Sequence, residues 1–525
     1  MRADFAPELA VAPPRAVRKV AVRDSLTSSP FESTGGAAYE SGAHTKRTLA
    51  WRAATLTANQ AILPNLTTIR DRSRAAARNH GYAKGAIDRL VANIIGTGIK
   101  PQSEVQDDAL REQIHRLWLR WTDEADADGL LDWYGLQALA VREWMEAGEV
   151  FVRLRIRRKE DGLSVPLQVQ LIEPELCPHD YNGIAPNGQR VRAGIEIDAI
   201  GRRRGYWFYR SRPGDLVEVD YGRRVRVDAE QIIHLYEPLR AGQLRGHPQL
   251  AQALVKLYEL DKYDDATLLR QQIANLFVGF LKRASVPSGE TAYNPLTNEE
   301  VSSADPPPIV GLQPGMFQEL YPGEDVTWSN PPGVNETYDE FMRQQLMGAA
   351  TAVGVPYEVL TGDMRDLNDR VIRVALQEFR RRIQQWQHQI VAYQLCRRVW
   401  LAWFERAFLS GALPLPLDFI ANPAPYTAVK WMPQGWPYLH PLQDVHAAKE
   451  AIRSGLTSRS AEVSARGEDA EVIDREQATD NARADGLGLR YDSDGRQATS
   501  GRTRAAATPD PDAAGDSAAS SQEAA

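Results

Sequence analysis

Between residues 335 and 409 the apolar positions read as helix, short loop, long helix. The first helix, about 336–353, stops at Gly354-Val355-Pro356, because a residue before proline is pushed out of the helical region. A loop over 356–366 follows. In the next stretch Ile372, Leu376, Phe379, Ile383, Trp386 and Ile390 recur at spacings of 4, 3, 4, 3 and 4, which is one helical face. No Pro or Gly interrupts this helix before Gly411. At ~1.5 Å per residue, a rod over 369–409 is on the order of 60 Å long. Its arginines and glutamines exclude a membrane span.

Upstream, helices are expected over 66–95, 107–123, 133–147 and 248–275. The 66–95 helix carries Ile69, Ala76, Ala83, Ile87, Leu90 and Ile94 on one side. Arg70, Arg72, Arg74, Arg78, Lys84 and Arg89 lie on the other. That basic side is a solvated or subunit-facing surface, or else a nucleic-acid patch. In the 248–275 helix Leu250, Ala253, Leu254, Leu257, Leu260 and Leu268 point inward. From Val150 to Ile156 the period becomes two, the mark of a half-buried strand. Further strands are expected at 167–172, 194–197, 205–210, 216–219 and 231–236, giving one mixed or antiparallel sheet over 150–237. Residues 276–335 form a small β-rich insertion, with strands at 276–281, 309–312, 316–320 and 325–328. Short helices are expected at 440–453, 458–466 and 469–485 after a Pro-rich connection over 411–436. The sum is an α+β fold, mainly helical.

The chain has 525 residues and a net charge of −7, with 62 Lys and Arg against 69 Asp and Glu. A protein that grips DNA by its phosphates leans basic, so any contact with nucleic acid is local or in passing. Cys177 and Cys396 stand far apart, which fits a reducing compartment and no metal framework. No apolar run of about 18 residues exists, so no membrane partner is expected. The first 20 residues make a poor signal peptide, and 1–47 reads as a flexible arm. The residues from 492 onward have too little apolar content to order themselves. No phosphate-binding loop, nucleophile elbow, H-E-x-x-H or C-x-x-C occurs, and no carboxylate pair stands out. Asp492-Ser493-Asp494-Gly495 lacks the closing Glu of a calcium loop. No catalytic residue, metal site or cofactor is therefore assigned.

Five stretches, in order, resemble the portal proteins of tailed bacteriophages, specifically the lambda-type portal family. They are the run from Arg72-Ser73-Arg74 through Arg78-Asn79-His80 to Gly96-Thr97-Gly98; Gly148-Glu149-Val150-Phe151; Arg240-Ala241-Gly242-Gln243-Leu244-Arg245-Gly246, leading to Tyr263-Asp264-Asp265-Ala266; Gly354-Val355-Pro356-Tyr357-Glu358-Val359-Leu360-Thr361-Gly362-Asp363; and Gly455-Leu456-Thr457 with Gly467-Glu468-Asp469. The resemblance covers about 48–490. It implies a portal-type subunit with wing, stem, clip and crown regions and one very long wing helix. The wing would be 48–247 together with 369–409. The stem helices would be 248–275 and 336–353, the clip 276–335, the tunnel loop 354–368 and the crown 410–490, with a disordered tail over 491–525. It further implies a homo-oligomer, a ring of twelve copies at a capsid vertex, assembled in the host cytoplasm. Double-stranded DNA would pass through it in transit. The other implied partners are terminase, head-tail connector proteins and the major capsid protein. Asp363, Arg365, Asp366, Asn368 and Arg370 would then face DNA, Asn368 by hydrogen-bonding phosphate. Alternatively Arg365 and Arg370 pair with Asp363, Asp366 or Asp369 of a neighbour. Arg70, Arg74 and Arg78 would form the basic subunit or DNA face. Rival readings are a metal-dependent nuclease and a scaffold or adaptor without a channel.

Overall fold

The computed structural model describes residues 54–212, 223–275, the strands 279–283, 292–293, 300–301 and 324–328, and then 338–365, 368–436, 440–491 and 496. The chain divides into two units, residues 1–61 and 62–525. In the described part of the first, the Thr57 and Gln60 side chains hydrogen-bond at 3.0 Å where a helical turn begins.

The expected 66–95 helix is two helices, α1 (Leu66–Asn79) and α2 (Gly81–Ile94). They break at His80, whose backbone is extended and whose Nδ1 accepts from the Ala83 N–H at 3.5 Å. Gly81 follows, and glycine weakens a helix by about 1 kcal/mol relative to alanine. Strand β1 (Lys100–Ser103) leads to α3 (Asp108–Glu124) and α4 (Trp133–Ala147). Asp107 and Asp132 cap these two helices by accepting from N–H groups of the first turn.

Two antiparallel sheets replace the single one expected. The first has the order β3-β2-β9, with β2 (Glu149–Ile156) between β3 (Leu167–Ile172) and β9 (Ile232–Tyr236). The second has five strands, β4 (Gly183–Ile184), β5 (Arg190–Arg192), β6 (Ile195–Ile197), β7 (Arg203–Tyr209) and β8 (Arg224–Asp228), in sequence order. The expected strand at 216–219 lies outside the described residues. Strand β2 is buried on both faces over its first four residues. Val150 and Val152 join the main helical core, whereas Phe151 joins a smaller core with Ile195, Tyr206, Phe208 and Val227.

A 3-10 turn (Gln249–Gln252) precedes α5 (Leu254–Asn275). Leu250, Ala253, Leu257 and Leu260 are in the core, but Leu268, expected inward, is 58% exposed. Next come β10 (Gly279–Arg283), β11 (Ala292–Tyr293), β12 (Glu300–Val301) and β13 (Glu324–Trp328). Strand β10 pairs antiparallel with β13, and β11 with β12. The expected strands at 309–312 and 316–320, and residues 276–278, lie outside the described residues. Helix α6 (Tyr338–Val353) lies against α5, where Tyr263 and Tyr338 stack at 6.0 Å and the Tyr338 hydroxyl donates to Asp264.

The loop after α6 contains a short helix, α7 (Tyr357–Thr361), started by Pro356 and ended by Gly362. The long rod follows as α8 (Asp369–Trp386), a π-helical stretch (Gln387–Cys396) and α9 (Arg397–Ser410). Phe379, Ile383, Trp386 and Ile390 are buried, as their spacing requires. Trp386 packs on Trp144 of α4 at 5.9 Å, and Trp400 on Trp118 of α3 at 4.9 Å. The Pro-rich connection returns to this core. Leu413, Leu415 and Phe419 are buried in it, and β14 (Val429–Met432) pairs with β1. No strand was expected at either place. Helices α10 (Pro441–Arg453), α11 (Arg459–Ser464) and α12 (Ala470–Leu487) close the described chain.

Candidate functional site

Two clusters of charge are built on the residues the sequence singled out. The first is exposed. Gly354 and Gly362, both at positive φ, flank α7 and turn the chain back along α6. Residue 365 thereby meets Asp339 in the first turn of α6. Arg365 donates from Nη1 and Nη2 to the two Asp339 oxygens at 2.9 and 3.1 Å. It also donates from Nε and Nη2 to the two Asp363 oxygens at 2.8 and 2.9 Å. The Tyr357 hydroxyl donates to Asp363 at 3.0 Å. Arg365 hydrogen bonds hold the Asp363 and Asp339 carboxyls below the usual range, and those two acids raise the Arg365 guanidinium in turn. The Arg365 and Asp339 side chains are 59% and 65% exposed.

Arg365 thus pairs within its own chain: Asp363 was expected only as a neighbour's partner, and Asp339 is one the sequence reading missed. Asn368 has its side-chain oxygen committed to capping α8, accepting from the Arg370 N–H at 2.9 Å. Arg370 is exposed, and Asp366 lies outside the described residues.

The second cluster removes Arg70, and in part Arg74, from the exposed basic face expected on α1. Arg70 is 2% exposed and turned inward to Glu149, the first residue of β2. Its Nε donates to the Ala147 carbonyl at 2.9 Å. Arg74 is half-buried and bridges Glu143, at 2.7 Å, and Glu175, at 2.9 Å. Arg78 is exposed, as expected. The reason is spacing. Leu66, Arg70, Ser73 and Ala77 share the buried stripe of α1, and a buried guanidinium persists only with a carboxylate partner.

Glu149 is sealed from solvent and holds four groups. Arg245 Nε donates to Oε1 at 2.7 Å, and Arg70 to the same oxygen. The Gly246 N–H donates to Oε2 at 2.8 Å, and His234 Nε2 lies 2.8 Å from that oxygen. Arg203 donates to His234 Nδ1 at 2.8 Å, so the neutral ring keeps its proton on Nε2 and donates to Glu149. Burial, opposed by Glu149 and aided by Arg203, lowers the His234 pKa to about 4. Burial alone would raise the Glu149 pKa, but Arg245 and Arg70 hold it well below the usual range. Arg245 also donates to the carbonyls of Cys177, Ala193 and Pro174 at 3.1, 3.0 and 3.2 Å.

Two sequence stretches, 148–151 and 240–246, therefore meet in one cluster. Two glycines permit it. A Cβ on Gly246 would fall 2.0 Å from the Gly148 carbonyl oxygen, and one on Gly148 2.1 Å from the His247 carbonyl carbon. The signal in the sequence was the carboxylate opening an apolar strand. The cluster is closed to solvent and ties the two sheets together, through Glu149 and His234 of the first and Arg203 of the second. Among the described residues, no three or more His, Cys, Asp and Glu side chains gather as a metal site requires, and no helix is long and apolar enough to cross a membrane.

The probable portal protein of Halomonas phage phiHAP-1 is 26% identical over 446 residues, covering 82% of this chain and 83% of that one. Portal protein B of Escherichia phage lambda is 21% identical over 483 residues, covering 84% of this chain and 88% of that one. Among solved structures, a chain in the neck of an empty gene transfer agent particle is 13% identical with a TM-score of 0.40, over 80% of this chain and 94% of that one. A HK97-family phage portal protein from Corynebacterium diphtheriae is 12% identical with a TM-score of 0.31, over 69% of this chain and 95% of that one. The family model for phage portal proteins of the lambda family matches residues 44–387, well over half of the sequence, and this chain belongs to that family.

Proposed function

We propose that the chain is the structural subunit of a ring, of twelve copies, at a capsid vertex, and that double-stranded DNA passes through the ring's bore. Besides family membership, one observation supports this. Helix α5 buries Leu257 and Leu260 yet leaves Val255 68% and Leu268 58% exposed, with Tyr258 and Leu269 also outward. Phe341 and Met347 of α6 are exposed as well. Apolar side chains along a helix pair mark an interface, and sister copies around a ring would cover them. On this reading 248–275 and 336–353 are the stem and 354–368 is the tunnel loop. The β-rich 276–335 is the clip, which docks terminase and later the head-tail connector proteins. Residues 410–490 are the crown, and the wing meets the major capsid protein. The chain is then not an enzyme, and a separate ATPase drives the DNA. A net charge of −7 suits a bore along which DNA slides.

Electron microscopy of the purified protein tests this reading. Rings with an open bore are expected; monomers or filaments overturn it. Mg²⁺-dependent cleavage of duplex DNA, lost on changing a carboxylate pair, would favour a nuclease instead.

A further inference from the structure

The exposed cluster has an arithmetic of its own. A guanidinium carries five N–H donors in a rigid planar fork that matches carboxylate or phosphate. Asp339 and Asp363 occupy four of those five in Arg365, each carboxylate using both oxygens. Two carboxylates against one guanidinium leave the cluster at −1. One N–H remains, and a phosphate could take the two-pronged hold that the fork offers only by displacing one of two acids belonging to the same chain.

We infer that Asp339 is a charge-masking and positioning residue for the loop: with Asp363 it holds Arg365 against the first turn of α6, so that this arginine offers no free guanidinium to a phosphate polymer. This deepens the ring reading and rests on it. Repeated around a ring, the masked cluster makes the loop level repel DNA weakly rather than grip it. Tyr357 secures the arrangement from the other side, since its hydroxyl holds the Asp363 carboxylate that Arg365 also uses. Loss of the Asp339 charge would free half of the fork and bring the cluster to neutrality.

The test measures binding of a short duplex DNA to purified full-length rings, with rings verified by microscopy. Arg365→Gln in the otherwise native ring removes no phosphate contact and only takes the cluster from −1 to −2, so DNA affinity should fall by less than about twofold. A loss of about fivefold or more in that variant, the size expected of a direct phosphate contact, overturns the inference. Asp339→Asn should raise affinity at least about fivefold at low salt. The gain should vanish on adding salt, as a phosphate contact requires, and should vanish in the Asp339→Asn, Arg365→Gln double variant. Intact Asp339→Asn rings that bind DNA no better than native, or a gain that survives Arg365→Gln, also overturn it. Failure of the native protein to form rings sinks the ring reading instead, and so is distinguishable.

Discussion

Arg245 and Arg365 are both held by carboxylates, and almost everything else about them differs. Arg245 shares one acid, Glu149, with Arg70, and its remaining donors end on backbone carbonyls in an interior closed to water. Arg365 has two acids to itself and stands in solvent. A charge pair gains far more from Coulomb attraction at low effective dielectric than in water, and loses far more when one partner goes. Exposed pairs are screened and contribute little to stability. The buried cluster is therefore read in folding, and the exposed one in the charge that the surface presents.

That contrast can be broken at several points. The largest effect is expected from Glu149→Gln, which strands two buried guanidinium groups. It should cost about 3–5 kcal/mol, seen as a lower denaturant midpoint or loss of soluble protein. Acid should weaken the same cluster through His234. Its folded pKa of about 4 lies below its ordinary value of 6.5, so the fold favours the neutral ring. That contribution is complete above about pH 6.5 and is lost as pH falls toward 4. It amounts to about 3 kcal/mol, at 1.36 kcal/mol per pKa unit. Unfolding measured between pH 7 and 4 should show the decline, and His234→Gln should flatten it. Gly246→Ala should cost about 1–3 kcal/mol by forcing β2 and the 240–248 connection apart, read as a drop in Tm. Arg365→Gln should leave Tm unchanged. A large drop there would erase the distinction between the two clusters.

The sequence disclosed elements whose cause is local. Asp107, Asp132, Ser458 and Asp469 each stand just before a helix and each caps it. The period of two from Val150 to Ile156 located β2. Partners distant in sequence were not legible. Arg70 reads as surface until Glu149, 79 positions on, is brought beside it. Strand β1 finds its partner only after 325 further residues, through Ser103 and Val429. Arg365 was singled out with Asp363, two residues away. Asp339 was hidden because it meets the loop only when α7 turns the chain back. The break at His80 was missed because nothing in the apolar spacing marks it.

The π-helical stretch in the rod has a consequence of its own. A π turn closes on the fifth residue rather than the fourth, so the ten residues of 387–396 complete about half a turn less than an α-helix would. The phase offset aims Trp386 at Trp144 on one side of the stretch and Trp400 at Trp118 on the other. Deleting one residue there would shorten the rod by only ~1.5 Å but spin its distal half by roughly 100°. An indel in this segment is thus a rotary fault, swinging Trp400 and Trp403 out of the indole stack while barely changing the rod's reach.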